Sequence, residues 1–243
     1  MEKKIALLRK ILKESDYTVA LCGSGMLEEA GFIPVRNPER AYEIETKYGA
    51  GPEEIFTSVY YNTRTEKFFN FYKNEMLADL KPGESGRVLS LMEQAGDLDC
   101  IVTGNIYELS QRAGCKKVIN LHGSIYENAC PRCGRKYSVD YIKNSRRVPV
   151  CEKCSVAIRP GVNLFGEMID SRLMEQTTRE IEKAQVLLLL GTAINSDAFY
   201  NYIKYFNGKY LVIIHKEEHL MDDRADLLIY EEPKNVLPKL GYE

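Results

Sequence analysis

Apolar residues in this chain fall into short unbroken runs separated by amphipathic stretches, the pattern of buried parallel strands alternating with helices. The clearest runs are Thr18–Cys22, Cys100–Val102, Val186–Leu190 and Leu211–Ile214, with shorter candidates at Lys117–Leu121 and Leu227–Tyr230. Ahead of the first run, Ile5, Leu8, Ile11 and Leu12 recur at helical spacing with lysines between them. From Ala30 to Lys81 the chain becomes rich in Tyr and Phe, and Thr63 and Glu66 are spaced as a capping box ahead of Phe68, Phe69, Tyr72 and Met76. A second stretch, Ala129 to about Ala157, is polar. Both stretches read as insertions outside the main sheet. The alternation predicts an α/β fold, a Rossmann-like open parallel sheet whose ligands bind at the carboxyl ends of the strands.

Composition narrows the class. With 243 residues and 44% apolar side chains, the chain can bury a sizeable core. Its 33 basic and 35 acidic residues give no bulk electrostatic drive toward nucleic acid or anionic membrane, so neither partner is expected. The longest apolar run, Val186–Leu190, is far too short to span a bilayer, and the N-terminal stretch lacks the unbroken apolar core of a signal peptide.

Cysteine usage adds the first chemistry. Seven cysteines are an odd number, and Cys130-Pro-Arg-Cys133 and Cys151-Glu-Lys-Cys154 form two knuckles separated by seventeen residues. That spacing presents four thiolates to one zinc ion, and a site with four sulfur ligands has no open position, which makes the metal structural. Paired metal thiolates point to a reducing compartment, with the cytoplasm expected. Cys22, Cys100 and Cys115 lack such pairing and read as ordinary core or unassigned thiols. The predicted organisation is therefore a sheet domain at 1–33, 82–128 and 158–243, plus a small domain made from a helical insertion at 34–81 and a zinc ribbon at 129–157.

After the first strand come Gly23-Ser24-Gly25 and then Gly31, a turn that brings backbone amides to a pyrophosphate or is simply tight. Its third glycine is not at the Rossmann spacing. Other segments are more specific. Gly23 to Gly31, with Arg36 and Pro38 beyond it, resembles the opening motif of the sirtuin family. Thr103-Gly104-Asn105-Ile106, Gln111 to Gly114, Leu121-His122-Gly123-Ser124, the cysteine quartet and Arg159 to Glu167 look like successive sirtuin blocks, followed by Gly191-Thr192 and Asp222 to Asp226. The resemblance covers nearly the whole chain.

The resemblance implies an NAD-dependent protein lysine deacetylase or deacylase that acts on an acyl-lysine protein or peptide and yields nicotinamide and O-acyl-ADP-ribose. It makes His122 the general base and Asn105 the ribose contact that helps position the leaving group, a role an imidazole suits near neutral pH. It puts Gly23, Ser24, Gly25, Glu29, Arg36, Asn105, Ile106, Gly191, Thr192, Ala193 and His215 around NAD. Val162, Asn163, Phe165, Gly166 and Glu167 would meet a substrate added as an extended strand.

Departures from the family pattern gather at the nicotinamide end. The family's Pro-Asp-Phe-Arg is Ile33-Pro34-Val35-Arg36 here, and its Gln-Asn-Ile-Asp is Gly104-Asn105-Ile106-Tyr107. Ala193 replaces a serine, Ser196 a valine, and His215 stands where an adenosine-side asparagine is usual. Two other readings stay open: an NAD-consuming ADP-ribosyltransferase or glycohydrolase, and a non-catalytic NAD or ADP-ribose-binding module.

Overall fold

The computed structural model describes residues 1–243, which divide into two compact units. The first comprises Met1–Gly31, Lys81–Leu121 and Asp170–Glu243, and the second Phe32–Leu80 and His122–Ile169.

Eight strands run in chain order as β1 (Thr18–Cys22), β2 (Cys100–Thr103), β3 (Val118–Asn120), β4 (Asn128–Ala129), β5 (Lys136–Tyr137), β6 (Val186–Leu190), β7 (Tyr210–His215) and β8 (Leu227–Tyr230). Six of them form the sheet of the first unit in the order β3-β2-β1-β6-β7-β8, with every neighbouring pair parallel. Their unbroken apolar character follows from burial on both faces. Successive side chains alternate between two cores. Ala20, Cys22, Leu188 and Ile214 pack with Ile5, Leu8, Leu12, Val88 and Met92, whereas Val19, Leu21, Leu187 and Ile213 pack with Ile181, Phe199 and Ile203. Each such fully buried aliphatic side chain contributes roughly 1.5–3 kcal/mol. The N-terminal helix, Glu2–Lys13, buries the four residues its spacing singled out.

Strand order locates the ligand end. The chain leaves β1 for β2 and β3 on one side, then returns to place β6 against the other side of β1. Connections therefore diverge at the carboxyl ends of β1 and β6, the switch point where open α/β sheets leave a crevice. The residues that follow those ends are Gly23-Ser24-Gly25 and Gly191-Thr192-Ala193.

The second unit is built on aromatic packing. Phe56, Phe68, Phe69, Phe71 and Tyr72 are buried, and Phe68 and Tyr72 stack with centroids 5.5 Å apart. The expected Thr63–Glu66 capping box does not form. Thr63 ends one helix, Ser58–Thr63, and its hydroxyl donates back to Val59 O at 2.8 Å, while the next helix starts at Thr65 and runs to Phe71. The N-cap position of that next helix is Arg64, so Thr63 lies one residue too early for its hydroxyl to accept from the first turn. The aromatic helix continues as a π-helical turn, Tyr72–Met76. Its buried Glu75 accepts from Lys47 Nζ at 2.8 Å and Tyr48 Oη at 2.6 Å and also pairs with Arg40. Burial alone would raise the Glu75 carboxyl, but those hydrogen bonds and the charges of Arg40 and Lys47 hold it below its ordinary value.

The division between units falls at 121/122 and 169/170, not at 128 and 158 as the sequence expectation had it. Backbone pairing accounts for the difference. Gly123 bridges Val162, Thr57 bridges Phe165 and Ala129 bridges Arg159, so His122–Tyr126 and Arg159–Glu167 are tied into the second unit on both flanks of the cysteine knuckles.

Candidate active site

In the first unit a cavity of about 380 Å³ opens at the switch point, lined by Ser24, Gly25, Thr192, Ala193, Ser196 and His215 among others. The two turns meet backbone to backbone. Gly25 N donates to Gly191 O at 2.9 Å, and a Cβ on Gly25 would lie 2.7 Å from Gly191 Cα. Any side chain there would force the turns apart, so glycine is required for the approach itself. Such a bare-backbone corner at strand ends suits a pyrophosphate.

Two polar atoms of this cavity are left over. Ser196 Oγ and His215 Nδ1 are buried without a hydrogen-bond partner. The other His215 nitrogen, Nε2, lies 3.1 Å from Asp222 Oδ1, and Asp222 Oδ2 accepts from His219 N at 2.8 Å and Tyr230 Oη at 3.3 Å. Since the carboxylate can only accept, it selects the tautomer with the proton on Nε2 and leaves Nδ1 as a bare acceptor. Facing the cavity, these two are placed to meet a polar ligand or water. The cavity also shows what sequence reasoning missed: Asp222 as the partner of His215, and Lys216, which meets Glu28 at 2.7 Å on the rim. The matched block from Asp222 to Asp226 carried the only signal, and only the fold joins it to His215.

The remaining expected residues of the first unit sit differently. Asn105 is buried at the end of β2, where its Nδ2 donates to Thr103 Oγ1 at 2.6 Å and its Oδ1 accepts from Tyr107 N at 3.1 Å. Ile106 and Tyr107 are buried beside it. Glu29 turns away from the cavity lining, and its Oε1 accepts from Ser85 N at 2.8 Å, at the start of the helix Glu84–Ala95.

In the second unit His122, Arg36 and Phe165 come together. His122 O accepts from Asn163 N at 2.9 Å, and Gly123, at φ +73°, faces Gly161 O where a Cβ would come within 2.1 Å. The hydrogen bonds to His122 are backbone ones, which leaves its imidazole for a ligand. Burial, and then the nearby Arg36 charge, push that imidazole below its ordinary pKa, so the neutral form dominates at physiological pH. Arg36 stacks over the Phe165 ring at 4.9 Å and pairs with Glu53 at 3.0 Å. Phe165 is held by backbone bonds to Phe56 O (2.9 Å) and from Ser58 N (3.2 Å). Nearby Val162 is buried, Gly166 is exposed at φ +84°, and Glu167 binds Arg159 and Leu164 N.

The same unit brings the Sγ atoms of Cys130, Cys133, Cys151 and Cys154 within 4.8 Å of one another, with Cys133 and Cys151 3.8 Å apart. Four thiolates at about 2.3 Å from one tetrahedral zinc stand about 3.8 Å apart, so the set fits the metal. The knuckle turns fit as well. Gly134 N and Ser155 N return to Cys130 O and Cys151 O at 2.9 and 2.8 Å, and Arg132 N and Tyr137 Oη point at sulfur. Cys22, Cys100 and Cys115 are buried thiols; burial pushes Cys100 and Cys115 up to about 12, which keeps them protonated and inert.

Comparison with known proteins matches this geometry. The Sir2 family model matches residues 23–197. An NAD-dependent protein deacetylase of Clostridium acetobutylicum is 34% identical over 236 residues, covering 96% of each chain. One of Thermotoga maritima is 34% identical over 224 residues, covering 89% of each. Among solved structures, a Sir2 protein with a deacetylated peptide and 3'-O-acetyl-ADP-ribose superposes with a TM-score of 0.84 at 28% identity, covering 97% of this chain and 96% of the other. A Sir2 homologue in complex with NAD gives a TM-score of 0.84 at 28% identity, covering 97% and 91%. The chain belongs to the Sir2 family.

Proposed function

We propose that this protein is an NAD-dependent protein lysine deacylase, acting on an acyl-lysine side chain presented by an extended peptide and forming nicotinamide and O-acyl-ADP-ribose. The observation that carries the reading is the neutral, uncommitted imidazole of His122 in a chain similar over its whole length to deacetylases.

In this reading the turns at Gly23–Gly25 and Gly191–Ala193 hold the pyrophosphate, and His215 and Ser196 meet hydroxyls of the nucleotide. Arg36, Asn105 and Ile106 serve the nicotinamide ribose side, with Asn105 pre-set by its bond to Thr103. Glu29, expected at the cofactor, holds the start of the helix Glu84–Ala95 through Ser85 N. Val162, Asn163, Phe165, Gly166 and Glu167 receive the peptide, with Phe165 against the acyl-lysine chain. The acyl oxygen attacks the anomeric carbon of the nicotinamide ribose, and the bond to nicotinamide breaks with its electron pair leaving on the ring. His122 then takes the proton of a ribose hydroxyl as that oxygen attacks the acyl carbon; the lysine amine leaves that carbon, taking up a proton, and water adds there to give O-acyl-ADP-ribose. Zinc on the four cysteines would hold the knuckles and take no part in the chemistry.

Turnover of an acetyl-lysine peptide with and without NAD tests the reading: loss of the acetyl group only when NAD is present supports it. Ile33-Pro34-Val35 favours one alternative, ADP-ribosyl transfer or NAD hydrolysis, because no aromatic ring at 35 shields the activated ribose. Consumption of NAD without deacylated peptide would favour that alternative. No helix is long and apolar enough to cross a membrane, and the metal thiolates favour a reducing compartment such as the cytoplasm.

A further inference from the structure

The second unit carries a groove of about 920 Å³ formed by residues 63–67, by Asn70, Lys73 and Asn74, and by Lys143 and residues 145–147. Its lining has no apolar side chain. Six of the lining residues are cations, Arg64, Lys67, Lys73, Lys143, Arg146 and Arg147, against the single carboxylate of Glu66. In a chain with a net charge of −2 this is a local excess that the fold concentrates on one face.

The hydroxyl groups of the lining are already committed. The hydroxyls of Thr63, Thr65 and Ser145 donate to Val59 O, Tyr61 O and Tyr141 O at 2.8, 2.8 and 2.7 Å. Lys73 is committed as well. From the π-helical turn its ammonium donates to the carbonyls of Ser145 and Arg147, fixing the loop that displays Arg146 and Arg147. Arg64 and Arg147 have loose exposed carboxylates, Glu54 at 3.5 Å and Glu66 at 3.6 Å. Lys67, Lys143 and Arg146 are exposed and have no ion-pair partner. What remains to face a ligand is a set of exposed cations, two of them displayed by the loop that Lys73 fixes.

We propose that this groove binds a short oligophosphate chain, held by Arg64, Lys67, Lys143, Arg146 and Arg147. Guanidinium forks match paired phosphate oxygens, and lysine ammoniums supply point charges between them. The volume is that of a small-ligand site, and the charge of its lining is overwhelmingly positive. A ligand that is anionic along its whole length is what such a lining selects.

Inorganic tripolyphosphate is the probe, titrated calorimetrically into the zinc-loaded full chain with excess ADP-ribose present to occupy the switch-point cavity. Saturable binding is expected at about 50 mM salt, weakening steeply by about 200 mM as counterion release requires. Lys67→Glu with Arg146→Glu should weaken it tenfold or more, and Arg64→Gln with Lys143→Gln severalfold. The substituted side chains are exposed, so zinc content and thermal unfolding should match the parent, and extraction of the metal would be insensitive to either pair. Absence of binding at low salt, equal affinity in the parent and both double variants, displacement of the probe by ADP-ribose, or tighter binding of an oligoglutamate peptide would each overturn the proposal.

Discussion

His215 Nε2 and Asp222 Oδ1 lie 3.1 Å apart, with His215 lining the switch-point cavity and Asp222 outside its lining, and this pair decides what His215 Nδ1 can recognise. With its proton held on Nε2, the ring offers Nδ1 as an acceptor, and a ribose hydroxyl is the donor a nucleotide supplies. Asp222→Asn removes the tautomer preference while keeping the shape. ADP-ribose affinity, measured by calorimetry, should fall about tenfold, or about 1.4 kcal/mol. Unchanged affinity would mean that His215 does not touch the nucleotide.

Asp222→Ala is a harsher change. It strands His215 Nε2, His219 N and Tyr230 Oη, three groups now bonded to one carboxylate. Of the three only His215 is buried, so its Nε2 carries the main penalty of about 1–3 kcal/mol, whereas the exposed Tyr230 hydroxyl can turn to water. Chemical denaturation should show a loss of about 1–3 kcal/mol without ligand. A loss under about 0.5 kcal/mol would place the cluster in solvent reach.

The cysteine quartet should hold one zinc per chain, released by Cys151→Ala together with much of the stability of the second unit. Elemental analysis and a melting curve check this. Fully reduced protein that contains no zinc and melts as a single folded species would contradict it.

For His122 the sign of the pH dependence follows from its environment. Burial and Arg36 lower the folded pKa, so the unfolded chain binds a proton at higher pH than the folded one does. Stability from this group is present above the unfolded value and declines as pH falls toward the folded one. Deacylation should rise with pH through the lowered imidazole titration and level off by neutrality. Arg36→Gln should move that limb to higher pH, a shift a merely structural arginine would not produce. His122→Ala should lower the deacylation rate by about a hundred- to ten-thousand-fold with little change in NAD binding. Equal rates in variant and parent would remove the histidine from the mechanism.

The sheet was legible because doubly buried strands must be continuously apolar, and Val186–Leu190 and Thr18–Cys22 have no other reading. The cysteine cluster was legible because two Cys-x-x-Cys knuckles state their own geometry. The unit boundary was not, since bridges such as Gly123 to Val162 join residues far apart in sequence and leave no local pattern. The Thr63–Glu66 box failed because the break between the two helices falls at Arg64, which takes the N-cap position and leaves Thr63 in the last turn of the preceding helix. Asp222 behind His215 and the basic groove around Lys73 are likewise products of folding, invisible to periodicity.

The central claim is acyl transfer to ADP-ribose, and product stoichiometry tests it most directly. The parent protein, zinc-loaded, is incubated with saturating NAD and an acetyl-lysine peptide for long times, because Pro34 and Tyr107 replace two family acids and the rate should be low. Mass spectrometry should find nicotinamide, deacetylated peptide and O-acetyl-ADP-ribose in equal amounts. Nicotinamide accompanied by free ADP-ribose or ADP-ribosylated protein, with the acetyl peptide intact, would contradict the account.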